Sequence, residues 1–543
     1  MARCVVVPMT SSSAFDALAA RFIEAQLSWH PVEATYLGVA GHDRDLPDLS
    51  AAGFERRVAE RRDWQARIAA LSTEVLSPDE QIDRELLLSA LAREESHAGF
   101  EAWRRSPEAY VKVADGILAL FLMPASDEAA RMAAVLARLA QIPAILEQGV
   151  ANLHPDSASR LLVARELRAA RANAQFLGDL LPGIVEDSSF RWKLERAGGE
   201  ASKAYTRFVQ FLEHLLPRAN GDFAFGEERY AQVLSRAELL ATTPAELQMR
   251  ASAVFDALES ELGGGSPAAR DAASAGPGGR AATECPQDPE EMLAAYTAAT
   301  EKARRFIYER GIASPAEGEI CLVEPAPLAW RETLSVACYV APPLFGESRT
   351  GRFMVPWPTQ GATPADTEDL LMGNSYSDIP TTAVHEAYPG HHWHLMTAAK
   401  ARPLRKLLSS TYFVEGWALY AEKVMDMHGF FDSAGRDGYL RARRFRAVRV
   451  EVDTGLHCGG LAPDEAVRIM QEKAGLPHAV ARAEVARYCA WPTQASAYLT
   501  GALAIGELAE RWSSTGRSER DFHDSLAATG ALPVPLAGRA VGL

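Results

Sequence analysis

His385, His391, His392 and His394 fall within ten residues, with Glu386 beside the first and Pro389-Gly390 between it and the other three. Proline lacks the N–H that a helix interior needs, and glycine accepts backbone angles closed to other residues, so this stretch cannot run as one regular helix. Imidazoles grouped beside a carboxylate are what a zinc site with a hydrolytic base requires: neutral nitrogens for the metal, an open position for water, and a group to take that water's proton. The His-Glu-x-x-His pattern is not matched, because its fifth position is Pro389. After His385, the second ligand must then be His391 or His392, six or seven residues on. On a regular helix six residues span about 9 Å of axis against about 6 Å for four. A two-residue bulge at Pro389-Gly390 would return His391 to the required place, whereas His392 would need three, so the spacing favours His391. The plainer alternative is a helix that ends at Pro-Gly with surface histidines beyond it.

Upstream the chain reads as helix after helix, which makes the fold class mostly α. Phe15, Leu18, Phe22 and Leu27 repeat at helical spacing, and Ala-, Leu-, Arg- and Glu-rich segments follow at 54–72, 79–103, 127–152, 157–181, 199–215 and 227–262. His30, His42, His97, His154 and His214 are scattered among them and read as surface or satisfied core groups. Residues 263–288 are rich in Gly, Ala, Pro and Ser without an apolar period, as in a flexible loop or linker. Helical pattern resumes at 289–311. The expected organisation is a helical N-terminal region over 1–262, the linker, and a catalytic region over 289–543, or else one continuous fold.

Between 318 and 357 the texture changes to short runs rich in Val, Cys, Tyr and Phe: Ile320–Val323, Leu334–Ala341 and Arg352–Val355. They predict a small sheet just upstream of the histidines. Its edge would offer backbone donors and acceptors to an extended peptide, or the sheet simply caps the helical core.

Downstream, 404–428 is predicted helical and carries Glu415 and Glu422 amid apolar residues. A buried glutamate must be paired, protonated or metal-bound. The two stand seven apart on one face, so either serves as a third ligand, or both form surface ion pairs. Residues 438–457 hold five arginines, of which most are solvated or paired and one is suited to a substrate carboxylate, then Glu451-Val452-Asp453-Thr454-Gly455-Leu456-His457. The tyrosines of 488–501 are either oxyanion donors or core aromatics.

A net charge of -15 disfavours nucleic acid or an anionic membrane as partner, since both reward clustered Lys and Arg. Six dispersed cysteines indicate neither a disulfide framework nor a Cys-x-x-Cys metal site. The N-terminal apolar run is too short for a signal peptide, and no later run approaches the roughly 20 apolar residues of a membrane span. These observations predict a cytoplasmic protein.

His-Glu-Ala-Tyr-Pro-Gly-His-His at 385–392, Glu-Gly-Trp-Ala-Leu-Tyr at 415–420, Val-Asp-Thr-Gly-Leu-His at 452–457 and Tyr-x-x-x-Pro-x-Gln-x-x-x-Tyr-x-x-Gly at 488–501 together resemble, in order, the bacterial family catalogued as domain of unknown function 885. The likeness runs from Glu33-Ala-Thr-Tyr-Leu-Gly38 and Asp43 to Gly530-Ala-Leu-Pro533. That family looks like a distant relative of the gluzincin zinc peptidases. The resemblance implies a large helical gluzincin-like body with the zinc in a central cleft walled by the N-terminal helices. It also implies His385, His391 and Glu415 as zinc ligands and Glu386 as general base. No aspartate stands four residues after Glu415, where many gluzincins place a supporting partner; Leu419 is there. Tyr498 is the first choice for steadying an oxyanion. Tyr339, His392, Glu422, Arg449, Asp453, His457, Tyr488 and Gln494 are the candidates for supporting the ligands or meeting a substrate. The expected activity is zinc-assisted hydrolysis of an amide bond in a short peptide. A zinc amidohydrolase acting on a non-peptide metabolite and a metal-bearing binding protein without turnover are the alternatives, and intact Glu386 speaks against the last.

Overall fold

Side-chain caps start several of the helices. Ser13, Ser50 and Ser77 cap α1 (Ala14–Trp29), α2 (Ala51–Ala69) and α3 (Pro78–Phe100), the last through a reciprocal box with Glu80. α4 (Glu128–Asn152), α5 (Arg160–Gln175) and α6 (Ser188–Leu215) follow, and α6 packs on both of the others. This is a computed structural model, and it describes residues 13–123, 127–185, 187–263, 284–331, 334, 336–359 and 361–543. The chain divides into two compact units, one of Met1–Arg84, Arg93–Phe223 and Pro343–Glu347, the other of Glu85–Ala92, Ala224–Pro342 and Ser348–Leu543.

In the first unit α4 is long and apolar enough, by length and composition, to cross a membrane, contrary to the expectation that no run approaches a membrane span. It serves as a core helix. Its fully buried Arg138 donates to the carbonyls of Pro31, His42, Asp45 and Gly116 and to Thr35 Oγ1, tying the first helices down.

In the second unit α7 (Pro244–Gly263) follows a break that the sequence pattern hid. The expected helix over 227–262 stops after Ala237. Leu239 takes a left-handed φ of 57°, Thr243 Oγ1 accepts from the Glu246 N–H, and Pro244 cannot extend what precedes it. Of the expected linker, residues 264–283 lie outside the described residues. α8 (Pro289–Glu309) then leads into three strands, β1 (Ile320–Pro325), β2 (Cys338–Val340) and β3 (Thr350–Val355). Leu334–Ala341 thus contributes a strand of three residues only. β3 is central, parallel to β1 and antiparallel to β2, with Tyr339 opposite Phe353. Phe353, Met354 and Val355 are buried, and Tyr296 of α8 packs edge-on against Phe353.

The histidine stretch forms α9 (Ile379–Glu386) and α10 (His391–Ala398), and then come α11 (Thr411–Met427), α12 (Ser433–His457), α13 (His478–Ala490) and α14 (Gln494–Ser513). The predicted 404–428 helix is really two, because Ser410 caps α11 anew after the short helix Pro403–Leu407. α11 and α14 touch backbone to backbone at two glycines. A Cβ on Gly416 would lie 2.5 Å from the Gly501 carbonyl carbon, and one on Gly501 would collide with the Tyr412 carbonyl. The glycines of two sequence motifs are therefore one helix crossing, and it sets Glu415 and Tyr498 close to the same place. The fold is mostly α with a small mixed sheet.

Candidate metal centre

Between α9 and α10 the chain absorbs two residues. The Gly390 N–H reaches the Val384 carbonyl and the Trp393 N–H the Ala387 carbonyl, each six residues back where a helix spans four. Glycine is needed at 390, since a Cβ there would overlap the His385 carbonyl. Trp417 of α11 donates its indole N–H to Pro389 O at 2.8 Å, pinning the bulge against the helix that carries Glu415.

The bulge turns His391 back toward His385, with ring centroids 4.9 Å apart and planes nearly perpendicular. Glu415 Oε2 faces both rings, 3.6 Å from His385 Nε2 and 3.5 Å from His391 Nε2. Those separations are long for hydrogen bonds. They are close to the roughly 3.3 Å that separates two tetrahedral ligands each about 2.0–2.1 Å from one ion. On the far side of His385, Nδ1 lies 2.7 Å from Oε1 of the fully buried Glu422. A carboxylate only accepts, so Nδ1 holds a hydrogen, and the nitrogen left to give a lone pair to a metal, once its own proton is displaced, is Nε2. Glu415 and Glu422, two helical turns apart, thus hold the two nitrogens of one imidazole. His391 Nδ1 and Glu422 Oε2 are buried with no hydrogen-bond partner among the described residues.

Glu386 also brings a carboxylate oxygen into a group of His385, Glu386 and His391 atoms that all lie within 4.8 Å of one another. Two carboxylates therefore compete for the third position. Glu415 fits it better, because its Oε2 faces both Nε2 atoms while Glu386 Oε2 accepts the Tyr339 N–H at 2.9 Å. Burial works against the Glu415 charge, yet the two histidines outweigh it and hold that carboxyl well below the usual range. For Glu386 burial wins, with Glu415 adding repulsion, and its pKa is raised. Burial lowers His385, but Glu415, Glu422 and Glu386 outweigh it and take it up to about 9. Two imidazoles among three carboxylates form a site whose charge suits a divalent cation, and the donor set of two nitrogens and one oxygen fits zinc.

The other expected residues are placed as follows. His392 is fully buried, with Nε2 2.8 Å from Glu319 Oε2 and Nδ1 2.9 Å from the Tyr339 hydroxyl. Glu319 is also held by Tyr388 and Arg304. Burial would raise that carboxylate, but the hydrogen bonds from His392, Tyr388 and Arg304 outweigh it and leave it lowered. His394 is a core residue, bonded to Gly530 O and packed on Phe413 and Trp417, with burial pushing it down to about 4. Asp453 and His457 have other partners than the two facing histidines. Asp453 accepts from Tyr230, while His457 receives the Phe225 N–H and reaches the Tyr488 carbonyl. The partner that supports His385 is Glu422.

Tyr498 stacks near-parallel to His385 with ring centroids 6.2 Å apart. Arg449 lies over its other neighbours, 4.7 Å from the Tyr498 ring and 4.2 Å from Phe445, and donates to the Tyr488 hydroxyl and to Glu484. Glu484 and Arg487 join this network, and sequence reading missed both, along with Glu319; a Glu-x-x-Arg pair one residue before Tyr488 was the available signal. Among the described residues, the five cysteines at 285, 321, 338, 458 and 489 are free thiols, and the scattered N-terminal histidines form no group of three metal-binding side chains.

A helical body with this small sheet and this histidine–glutamate cluster finds its relatives in one bacterial family. The chain belongs to the family described as "Bacterial protein of unknown function (DUF885)", whose pattern matches residues 31–541. No curated protein matches it. Two solved structures share the fold at 20% identity. One is described as "a putative lipoprotein of unknown function from Shewanella oneidensis", with a TM-score of 0.78 over 97% of this chain and 99% of that one. The other is described as "the putative lipoprotein from Colwellia psychrerythraea", with a TM-score of 0.79 over 97% and 98%. The word lipoprotein belongs to those two proteins. The expectation of a cytoplasmic protein rested partly on the N-terminal apolar run, which lies outside the described residues, and partly on there being no later run of membrane-span length, against which α4 stands.

Proposed function

We propose that this protein is a gluzincin-like, zinc-dependent hydrolase that cleaves amide bonds in short peptides. The observation that carries the reading is Glu415 Oε2 lying almost equidistant from His385 Nε2 and His391 Nε2, with a second carboxylate, Glu386, beside them. His385, His391 and Glu415 would hold the ion. Bound zinc supplies Lewis acidity, acidifying water and polarising a carbonyl.

The remaining work falls to this chain's own residues. Glu386, its Oε2 anchored by the Tyr339 N–H, keeps Oε1 to take a proton from the attacking water and return it to the leaving amine as the C–N bond breaks. Its raised pKa, caused mainly by burial, suits a group that must both accept and release a proton. Tyr339 spends its N–H on Glu386 rather than on β3, which sets Glu386 against the outer side of β2, the edge strand along which an extended peptide would lie. Tyr498 donates its hydroxyl to the oxyanion of the tetrahedral intermediate.

The test is cleavage of a mixed peptide library, with and without chelator, read by mass spectrometry, alongside Glu386→Gln. The variant should keep its zinc and still bind peptide while turnover falls by at least about two decades, since general-base help is worth about 10²- to 10⁴-fold. Parental turnover in Glu386→Gln sinks the mechanism, and loss of zinc with activity would make Glu386 a ligand.

A further inference from the structure

Tyrosine hydroxyls around the centre are mostly committed as donors. Tyr488 donates to Glu484 and Tyr388 to Glu319, and the Tyr339 hydroxyl pairs with His392 Nδ1. Tyr498 differs. Its hydroxyl has one hydrogen bond among the described residues, and in that bond it is the acceptor, from Gln494 Nε2 at 3.3 Å.

An amide's two ends look alike, so which end faces Tyr498 has to be argued from its neighbours. Gln494 opens α14, and Arg487 lies in the last turn of α13; Thr493, with a left-handed φ of 71°, turns the chain between them. Arg487 Nη1 lies 2.6 Å from Gln494 Oε1. A guanidinium can only donate, so the amide oxygen must face Arg487 and the NH₂ must face Tyr498. Reversing the amide would set donor against donor at Arg487. Glu484 holds Arg487 in turn, through both carboxylate oxygens.

We infer that Arg487 and Gln494 are positioning residues that orient the Tyr498 hydroxyl: by making its oxygen accept within the protein, they leave its hydrogen as a donor for the substrate oxyanion. This rests on the hydrolase reading and deepens it. It gives a physical reason for the Gln-x-x-x-Tyr spacing, since residues four apart on a helix are neighbours.

The test compares Gln494→Glu with Gln494→Met. A carboxylate at 494 keeps the shape and the Arg487 contact but accepts from Tyr498, drawing the hydrogen away from substrate. Methionine breaks the network yet leaves that hydrogen free. Gln494→Glu should therefore lower kcat about as much as Tyr498→Phe, on the order of 10²-fold as for loss of one oxyanion donor, with KM near the parental value. Gln494→Met should lose less, and Gln494→Glu combined with Tyr498→Phe should lose no more than Tyr498→Phe alone. A merely structural role gives the opposite order, with methionine the worse substitution. Calorimetric binding of a phosphinic pseudopeptide, a tetrahedral anion, provides a readout independent of turnover: affinity should fall most in Gln494→Glu. A parent that cleaves no peptide overturns the hydrolase reading, while the order of phosphinate affinities still decides the orientation of Tyr498. Equal affinity in parent, Gln494→Glu and Gln494→Met, or no binding in any of them, overturns the inference.

Discussion

His391 and His392 are adjacent in the chain and opposite in how their ring nitrogens are used. His392 has both nitrogens engaged, by Glu319 and the Tyr339 hydroxyl, and no exposure. His391 has a buried Nδ1 with no partner among the described residues and an Nε2 that stands 3.5 Å from Glu415, too far for a good hydrogen bond. Both rings sit beside a carboxylate, so proximity to charge does not separate them. What separates them is bonding within the protein: His392 is satisfied at both nitrogens, whereas His391 and His385 both face Glu415 Oε2 with Nε2, the pair that the proposed function assigns to zinc. The same contrast divides Glu415 from Glu319, which is surrounded by its own donors.

Four measurements would break or sharpen that contrast. The largest effect is expected for His391→Ala, whose zinc affinity should fall by more than the roughly 10- to 100-fold that loss of a ligand's outer partner costs. Glu415→Gln should weaken zinc more than Glu422→Gln, which should itself cost roughly 10- to 100-fold through the freed His385 ring. A competition titration orders these variants, and a greater loss in Glu422→Gln would move the ligand to Glu422. His392→Ala should leave zinc affinity nearest the parental value while lowering stability by about 1–3 kcal/mol, because Glu319 and Tyr339 lose a buried partner. Metal analysis and chemical denaturation of the two histidine variants measure this, and equal zinc loss in both erases the distinction.

The smallest effect concerns Glu484, where the protein itself supplies the cations. Burial raises that carboxyl, but Arg449 and Arg487 outweigh it and take it down to about 2 from an ordinary 4.5. Its folded pKa is depressed, so its stabilisation is present in full above about 4.5 and disappears as pH falls toward about 2. The gap in thermal stability between the parent and Glu484→Gln should hold constant from neutral pH down to about 5 and narrow below it. A gap unchanged down to pH 3 would mean that the glutamate is not held by its arginines.

Much of this was legible in the residues. Helical period revealed the mostly α body, although it ran through the break at Leu239–Pro244 because the apolar spacing continues across it. Pro389-Gly390 signalled a bulge, and counting residues gave its size, since a bulge is a local matter of chain length between two side chains. Glycines 416 and 501 were visible as parts of motifs but not as a contact. The Asp453–His457 pair looked suited to support a ligand and is instead bound up with Tyr230, Phe225 and the Tyr488 carbonyl.

The sequence by itself determined which residues share a helix face and how much chain lies between them, so it could bring Glu415 and Glu422 to one side and return His391 toward His385. Only the tertiary structure decided which nitrogen each carboxylate meets, which of two adjacent histidines is satisfied, and which end of Gln494 faces Tyr498. The physical reason is that backbone spacing sets periodicity within a helix but not the rotation of that helix against its neighbours. His385 meets Glu422 across 37 residues and His392 meets Glu319 across 73, and those meetings are fixed by packing between segments.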